Sequence, residues 1–594
     1  MTRIIPPTWT PPWQVVVRDR LVRISAAHVR GEERWECPAQ IAAKARPAIA
    51  VDRDPSVRVA YAPYHSFALG IARDAAYAVM ASGTDPEVAL DRACAEAMGD
   101  VADAAREVAR EALQGYLIAV ARLRDSGALP ADTVVREFFA ADADETDVRV
   151  EWFAWGLLHV SRDGADREFH VLTWEKAGAR PRSPSYLAVY ARVAADAVMR
   201  QEGSRWKERW APAPAQPGAA QRIRVREIGV LDATDAVLLD ATADQARADF
   251  EPAVAGQLHV LAGEAFNPGP GCASCSVRFE CPGVARIPGV LGVAGPALWT
   301  RGLSPGDLTT ARTCTWQIHL ERELSLPRQR RETTEAMVRG THLHSWLEHA
   351  HARLVACEPE DIPLPGEGVG EVAELLGWEP STYAALRPFL LQHLEQCPMR
   401  GDGVVAAYPE QTLTAWDTDV DVVISTRTDL VVETADGYVV RETKSVGGDR
   451  ELPQSSAEIF ERYPQIAVAL CLLADGLDPV AGDVIAAPRP GRVEIEILRA
   501  DGSEVRGFDT ADAEAVLLAR ASIAEAVDTI LYSPPEPNVG RHCAWCPVSR
   551  WCVAHRAGPV LAEGPAEEPE GPIRMSLLAY AEAITVETDS DAPF

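Results

Sequence analysis

The sequence predicts an α/β protein in which one module occurs twice. Short β-branched and apolar runs alternate with long Ala-rich segments, a pattern typical of sheets flanked by helices. Two cysteine triplets with the same Cys-x2-Cys-x5-Cys spacing lie near the middle and near the end of the 594 residues. At 47% apolar composition, a chain of this length can form about two to four domains with cores of their own.

Matching distances indicate the repeat. A cysteine, a His-Ser pair, a lysine and a cysteine triplet recur in one order, at Cys37, His65, Lys176 and Cys272 and again at Cys314, His344, Lys444 and Cys543. The first cysteine precedes the triplet by 235 residues in one part and by 229 in the other. The histidine follows the first cysteine by 28 and 30 residues, and the lysine precedes the triplet by 96 and 99. We therefore predict a tandem duplication.

The stretch Thr426–Val446 has the pattern of a β-hairpin. Apolar runs at 430–432 and 438–440 flank the turn Ala435-Asp436-Gly437. An Asp-Gly pair is expected to supply the positive φ angles of a tight hairpin turn. The hairpin is the centre of the predicted second module.

Three charged residues lie at one end of this hairpin. Asp429 opens the first strand, and Glu442 and Lys444 lie two residues apart in the second, on one face of the sheet. Two carboxylates can hold Mg²⁺ or Mn²⁺, which lowers the pKa of a bound water, and a lysine can orient that water or neutralise the transition state of phosphodiester hydrolysis. Taken alone, the same residues also fit a solvated strand edge with a weak ion pair.

The residues around the hairpin follow a known order. Gly340–His344 opens an amphipathic segment, Glu410 starts a strand-like run that leads to Asp429, and Gln465 lies on an apolar helix downstream. This order of Gly-x-x-x-His, Asp, Glu-x-Lys and Gln resembles the PD-(D/E)XK nuclease superfamily, in particular RecB- and AddB-like nucleases and the iron–sulfur exonucleases associated with CRISPR systems. The resemblance implies modules with a central mixed sheet flanked by helices, each closed by a cysteine-ligated metal cluster.

The resemblance also implies roles for individual residues. The Mg²⁺ or Mn²⁺ ligands would be His344, Asp429, Glu442 and the carbonyl group of Thr443. Lys444 would be the catalytic lysine, and Gln465 would position DNA or water. The chain departs from the family at two positions, with Thr426 in place of a glycine and Ala469 in place of a tyrosine.

The cysteine triplets are predicted metal sites, because disulfides are rare in cytoplasmic proteins. A fourth ligand is available to each triplet, which gives the quartets Cys314, Cys543, Cys546, Cys552 and Cys37, Cys272, Cys275, Cys281. Spacing alone leaves a [4Fe-4S] cluster and a structural zinc ion open. The resemblance favours iron–sulfur in the second quartet of the chain, and in the first, Cys37 has the alternative of a buried thiol. The remaining cysteines are interpreted as isolated core residues, namely Cys94, Cys357, Cys397 and Cys471.

The first module is predicted to lack the catalytic carboxylates. If Lys176 corresponds to Lys444, then Trp174 occupies the position of Glu442, and the apolar stretch 156–158 occupies that of Asp429. We expect this module to be a scaffold, a DNA-binding surface or a docking platform, with His65 and Lys176 as structural residues. The predicted segments are an inactive module 1–285, a linker 286–300, an active module 301–556 and an acidic disordered tail 557–594.

Composition limits the classes of function. A net charge of −29 argues against an extended DNA-coating surface, so a nucleic-acid groove would be local and built from arginine. None of the four lysines follows a glycine, which excludes a Walker-type phosphate-binding loop. The sequence has no signal peptide and no apolar run of about 18 residues, so we expect a cytoplasmic protein without a membrane partner.

The predicted function is that of a metal-dependent DNA nuclease. An exonuclease that acts on single-stranded ends in DNA repair or in defence against foreign DNA, with a separate helicase subunit as partner, fits the resemblance best. One alternative is a non-catalytic subunit that binds DNA ends or assembles a helicase–nuclease complex. Another is a nuclease directed at RNA.

Overall fold

A computed structural model describes most of the chain. It covers residues 16–17, 21–29, 36–46, 49–50, 67–97, 101–129, 133–135, 138–141, 149–196, 198–199, 220–258, 261, 263, 265–295, 301–329, 333–364, 366–401, 403–447, 452–556 and 573–574. His65 and nearly all of the predicted acidic tail lie outside these residues. Within them, no helix combines the length and the apolar character needed to cross a bilayer.

The N-terminal half alternates helices with short strands. Its helices are α1 Pro38–Lys44, α2 Phe67–Ser82, α3 Pro86–Glu96, α4 Asp103–Asp125, α5 Pro184–Asp196 and α6 Ala243–Ala255. Its strands are β1 Val16–Val17, β2 Leu21–Ser25, β3 Ile49–Ala50, β4 Thr133–Val135, β5 Phe138–Ala141, β6 Arg149–Phe153, β7 Leu157–Val160, β8 Asp166–Thr173, β9 Val198–Met199, β10 Arg222–Gly229 and β11 Thr234–Thr242. Side-chain caps define the starts of two helices, because Asp85 and Thr242 accept backbone hydrogen bonds at α3 and α6.

Among the described residues, the C-terminal half has more helices than the N-terminal half. They are α7 Pro305–Thr313, α8 Thr315–Ile318, α9 Glu335–His351, α10 Glu371–Leu375, α11 Pro380–Gln396, α12 Ser456–Arg462, α13 Pro464–Ala474, α14 Ala513–Tyr532 and α15 Val553–Arg556. The strands are β12 Ala285–Arg286, β13 Arg301–Leu303, β14 Val404–Pro409, β15 Thr412–Asp417, β16 Val422–Arg427, β17 Leu430–Thr434, β18 Tyr438–Ser445, β19 Gly491–Leu498, β20 Ser503–Asp509, β21 Asn538–Val539 and β22 Ile573–Arg574. Thr334 caps α9, the helix that carries Gly340 and His344.

Each half contains a five-stranded mixed sheet. The strand order is β4-β7-β8-β10-β11 in the first half and β14-β17-β18-β19-β20 in the second. In both sheets the third and fourth strands are parallel and all other neighbours are antiparallel. The predicted α/β class, with mixed sheets flanked by helices, is therefore confirmed.

The central hairpin β17–β18 forms as predicted, but its turn is of a different kind. Residues 430–433 pair with residues 438–441 in antiparallel register. Neither Asp436 nor Gly437 has a positive φ, so the predicted turn chemistry is wrong. Glycine is required at 437 for a steric reason, because a Cβ atom there would lie 1.9 Å from the carbonyl oxygen of Pro490.

Helices cover both faces of the sheet in the C-terminal half. Val431 of β17 belongs to an apolar core shared with α13 and α14. Its neighbours Leu430 and Val432 point the other way, into a core shared with α9 and α11. The hairpin is thus held between two helical layers, and one of these layers carries His344.

The predicted linker 286–300 is only partly a linker. Ile287, Val290 and Leu291 are buried in the core of the C-terminal half, and β12 pairs in parallel with β15. The prediction of a free join is wrong for this stretch, because its apolar residues find a place in the core despite the surrounding glycines and prolines.

The cysteine segment of each half packs on elements of the other half. Trp316, Cys546 and Trp551 share one apolar core with α2, α3 and α4 of the N-terminal half, and Arg550 forms an ion pair with Glu111 of α4. In the reverse direction, the segment after α6 packs on the second sheet of the C-terminal half, which consists of β12, β15, β16 and β13. The halves are therefore joined through both cysteine segments.

Candidate active site

The end of the central hairpin gathers four of the predicted site residues. Asp429 lies just before β17, Glu442 and Lys444 lie in β18, and α9 packs on β18 with His344 facing Asp429. The Nδ1 atom of His344 is 3.1 Å from Oδ1 of Asp429. The Nζ atom of Lys444 is 2.9 Å from Oε2 of Glu442 and 3.9 Å from Oδ2 of Asp429. Lys444 therefore lies between the two carboxylates.

Asp429 is held in place by the neighbouring strand. The backbone N–H of Thr443 donates a hydrogen bond of 2.6 Å to Oδ2 of Asp429. Burial alone would raise the pKa of Asp429, but the hydrogen bond with His344 and the charge of Lys444 lower it below its usual range. Asp429 is thus an ionised carboxylate of fixed orientation. The carbonyl group of Thr443 remains a predicted ligand.

Glu442 is buried and incompletely paired. The residue is 2% exposed, and only its Oε2 atom has a hydrogen-bond partner, the ammonium group of Lys444. Burial and the negative charge of Asp429 raise the pKa of Glu442 to about 7. A buried carboxylate oxygen without a partner is costly, so Oε1 is a position where a cation or a bound water would be stabilised.

A third carboxylate, from Glu410, belongs to the same site. Ligand atoms of Glu410, His344 and Asp429 all lie within 4.8 Å of one another. Glu410 lies between β14 and β15 with a φ of 58°, its backbone N–H donates to the carbonyl oxygen of Asp429 at 3.0 Å, and its side chain pairs with Arg427. The sequence pattern places Glu410 at the start of a strand and gives no signal of a ligand. Three potential ligands therefore converge, while Glu442 lies outside this group, bonded to Lys444.

Both cationic groups of the site favour their charged forms. Burial alone would lower the pKa of Lys444, but the carboxylates of Glu442 and Asp429 raise it above its usual value. Burial alone would also lower the pKa of His344, but the contact with Asp429 outweighs burial and raises this pKa above its usual value. Lys444 thus keeps its ammonium charge at neutral pH.

Gln465 is the predicted site residue without a contact in this group. It lies half-buried in the first turn of α13, a helix that packs on α14 and β19. Within the described residues it makes no hydrogen bond to Asp429, Glu442 or Lys444. The structure thus gathers His344, Asp429, Glu442 and Lys444 and leaves Gln465 beside them.

A cleft of about 460 Å³ opens next to Glu410. One wall comes from residues 266–268 of the N-terminal half. The other walls come from Glu348 and Ala352 of α9 and from residues 409–414 and 477–482. Both halves therefore contribute to a cleft that borders the acidic site at Glu410.

Residues 302–553 match the PD-(D/E)XK nuclease superfamily. The predicted resemblance to the superfamily is confirmed for this part of the chain, which we call the nuclease-superfamily half. No curated protein matches the chain. One similar solved structure, entitled "Crystal structure of SSO0001", is 13% identical and covers 43% of this chain and 86% of its own, with a TM-score of 0.21. A TM-score this low does not define a common fold.

Each predicted cysteine quartet lines one small cavity. In the nuclease-superfamily half, Cys314 precedes α8 and faces the triplet Cys543, Cys546 and Cys552. In the N-terminal half, Cys37 precedes α1 and faces the triplet Cys272, Cys275 and Cys281. Burial raises the pKa of Cys546 to about 11 and that of Cys272 to about 12. Thiolates would therefore need a bound cation to persist in either cavity.

The quartets are too open for a single zinc ion. Tetrahedral Zn–S bonds of about 2.3 Å place neighbouring sulfur atoms about 3.8 Å apart. Among the described residues, two groups of three or more potential ligands have all their atoms within 4.8 Å, and neither group includes a quartet cysteine. No three sulfur atoms of either quartet therefore all lie within 4.8 Å of one another.

The register of the N-terminal sheet corrects the predicted correspondence between the halves. The hairpins β7–β8 and β17–β18 begin with the pairs Leu157–His170 and Leu430–Arg441. Counting from these pairs, the positions of Asp429, Glu442 and Lys444 correspond to Gly156, Val171 and Thr173. Trp174 and Lys176, which the sequence distances place there, lie beyond the end of β8. The offset arises because Lys176 was matched to Lys444 by residue type, whereas Thr173 precedes Cys272 by 99 residues, the same distance as from Lys444 to Cys543.

Gly156 leaves no room for a carboxylate in the N-terminal half. Its φ is 150°, and a Cβ atom there would lie 2.2 Å from the carbonyl oxygen of His170. Valine at 171 and threonine at 173 supply neither a second carboxylate nor an ammonium group. The three positions therefore cannot bind a divalent cation.

Cys357 and Cys397 are not isolated, contrary to the prediction. His351 and His393 lie beside them, and ligand atoms of all four residues are within 4.8 Å of one another. The sequence carries a weak signal for this cluster, since each cysteine follows a histidine by a few residues. The pairs come together only because α9 and α11 are packed side by side.

Proposed function

We propose that residues 301–556 are a divalent-metal-dependent deoxyribonuclease that degrades DNA from single-stranded ends. The observation that carries the proposal is the convergence of His344, Glu410 and Asp429 within 4.8 Å, beside a buried carboxylate oxygen of Glu442 without a partner. Such a set of oxygen and imidazole ligands suits Mg²⁺ or Mn²⁺. The match of residues 302–553 to a nuclease superfamily supports the same chemistry.

Each residue has a role in this proposal. His344, Glu410 and Asp429 would hold the cation, with Glu442 next to it. The bound cation would lower the pKa of a water molecule and stabilise charge on the phosphate. Lys444, which donates to Oε2 of Glu442, would orient that water or neutralise the phosphate.

The open groove beside Glu410 supports a flexible polymer as substrate. Its walls come from different halves, and it borders the acidic site at Glu410. The choice of DNA, the preference for free ends, a role in repair or defence and a separate helicase partner rest on the resemblance to RecB- and AddB-like nucleases.

We propose further that the N-terminal half is a silent copy of the same module. The identical strand order of the two sheets supports this, together with Gly156, Val171 and Thr173 at the positions of the acidic residues and the lysine. We also propose that each cysteine quartet binds a [4Fe-4S] cluster, because four cysteines line each cavity at a spacing wider than a single zinc ion needs.

A cleavage assay tests the proposed activity. Purified full-length protein is incubated with end-labelled single- and double-stranded DNA and RNA, each with Mg²⁺, Mn²⁺ or EDTA. Shortening of single-stranded DNA only in the presence of metal, lost in Glu442→Gln, is the expected result. Cleavage of RNA alone would favour a ribonuclease, and binding of DNA ends without cleavage would favour the non-catalytic alternative.

A further inference from the structure

A cluster of two histidines and two cysteines is buried in the nuclease-superfamily half, away from the cysteine quartets. His351 is the last residue of α9, and Cys357 lies in the loop that follows. His393 lies in the last turn of α11, and Cys397 ends that helix. Each of the four residues is 4% exposed or less. The cluster thus ties the ends of two helices together inside a core.

Two separations between the ligand atoms match those of a tetrahedral zinc site. The Nε2 atoms of His351 and His393 are 3.2 Å apart, and Sγ of Cys397 is 3.7 Å from Nε2 of His351. Tetrahedral bonds of about 2.0 Å to nitrogen and 2.3 Å to sulfur give edges of about 3.3 Å between nitrogens and 3.6 Å between nitrogen and sulfur. A single ion at the centre of the cluster would therefore reach its ligands with little movement.

A carboxylate fixes the orientation of one histidine. The Nδ1 atom of His393 is 2.9 Å from Oε1 of Glu496, so the opposite ring nitrogen, Nε2, faces the other three residues. Glu496 is completely buried in β19. A histidine that donates to a carboxylate from its second nitrogen is the usual arrangement in zinc sites.

We propose that one structural zinc ion is bound by His351, Cys357, His393 and Cys397. Two imidazoles and two thiolates complete a four-coordinate site, and their burial leaves no open position for water or substrate. Sulfur ligands select zinc over Mg²⁺ and Mn²⁺, which prefer oxygen. This site and the acidic site therefore take different metals.

Glu496 connects the zinc site to the acidic site. Its Oε2 atom accepts a hydrogen bond of 2.9 Å from Oγ1 of Thr443, whose backbone N–H in turn holds Asp429 at 2.6 Å. Zinc binding orients His393 and hence Glu496 and the strand β18. Loss of the ion is expected to displace Asp429 and to lower cleavage, an effect that rests on the proposed function.

Metal analysis tests the zinc site without reference to cleavage. Full-length wild-type protein and three variants, Cys357→Ala, Cys397→Ala and Cys471→Ala, are purified without oxygen and analysed for zinc and iron by mass spectrometry. Cys471 is a buried cysteine of α13 outside the quartets and the cluster, so its variant is the matched control. Cys357→Ala and Cys397→Ala should each lose one zinc per chain relative to the control and keep the same iron. Equal zinc in all four proteins would overturn the proposal.

Anomalous diffraction from wild-type crystals tests the zinc site even if the variants do not fold. Wild-type crystals measured on both sides of the zinc absorption edge should give an anomalous peak between the four ligand atoms. The absence of that peak in protein purified with zinc would also overturn the proposal. Zinc at this site in a protein that cleaves no nucleic acid would leave the zinc proposal intact and reject the proposed nuclease activity.

Discussion

The five-stranded sheets of the two halves have the same strand order and directions, but they balance charge in opposite ways. In the C-terminal sheet, Glu410, Asp429 and Glu442 surround one lysine, Lys444, and a buried oxygen of Glu442 is left without a partner. Arg427 pairs with Glu410 and His344 with Asp429, so the unpaired oxygen of Glu442 is the group that a bound cation would stabilise.

The N-terminal sheet instead pairs a buried carboxylate with arginines. Glu168 of β8 contacts two arginines of β10, Arg224 at 3.0 Å and Arg226 at 2.5 Å. The two arginines compensate the buried charge of Glu168, so this carboxylate does not need a bound cation. The comparison teaches that the fold tolerates either arrangement, so the strand order by itself does not predict chemistry.

The largest expected effect comes from breaking a cysteine quartet. Cys543→Ser should remove the iron–sulfur absorbance of one cluster and destabilise the C-terminal half by roughly 5 kcal/mol, because the cluster closes a loop of about 230 residues. Iron content and thermal unfolding measure both effects. Cys275→Ser should remove the same amount of iron through the N-terminal quartet. Full iron content in either variant would contradict the assignment of that quartet.

The acidic site should fail almost completely when one of its central residues is replaced. Asp429→Asn, Glu442→Gln and Lys444→Ala should each lower the cleavage rate by about 10³-fold, because several kcal/mol of transition-state stabilisation are lost. Thermal unfolding should stay close to wild type for Glu442→Gln, since the change keeps the shape of the side chain and replaces a buried carboxylate of which one oxygen has no partner.

The matched control lies in the other sheet. Thr173→Ala and Lys176→Ala should leave the rate of cleavage unchanged. If Lys176→Ala stopped cleavage as thoroughly as Lys444→Ala, without loss of folding or of DNA binding, the two halves would share one composite site.

Glu410 should have an intermediate effect. Glu410→Gln removes one of three converging ligands but leaves Asp429 and His344 in place, so we expect a loss of about 10–100-fold in apparent affinity for Mn²⁺. The measurement is the Mn²⁺ dependence of the cleavage rate. An unchanged Mn²⁺ dependence would remove Glu410 from the ligand set.

The smallest expected effect concerns the glycine at the position of Asp429. Gly156→Ala forces a Cβ atom against the carbonyl oxygen of His170 and should destabilise the protein by about 1–3 kcal/mol. Gly70→Ala in α2, where a Cβ atom meets nothing within 4 Å, should be neutral or slightly stabilising. Cleavage should be unchanged in both variants. Equal melting temperatures would show that the first sheet can accept a side chain at this position.

Local sequence pattern was sufficient for the hairpin and for its charged face. The alternation of apolar residues in 430–432 and 438–440 predicts two strands, and the period of two places Glu442 and Lys444 together. The mixed α/β architecture follows from the same kind of pattern. These features depend on residues close in sequence, so they are readable without the fold.

Features that depend on tertiary packing were missed. Glu410 enters the site through a positive φ and a hydrogen bond to Asp429, neither of which leaves a mark in the sequence. The cluster of His351 and Cys397 needs two helices that are separated by a long loop to lie side by side. The shift of register around Trp174 arises because the lysine of matching type, Lys176, lies three residues beyond Thr173, the structural equivalent of Lys444.

Because the cysteine segment of each half packs on the other half, the C-terminal half depends on the N-terminal half for its stability. A chain that began at residue 301 would lose β12 and would expose Trp316 and Trp551, which now pack against α2, α3 and α4. Its first fate would be aggregation rather than unregulated cleavage. Selection for a folded C-terminal half is then enough to preserve the N-terminal half, even if the N-terminal half does not bind nucleic acid.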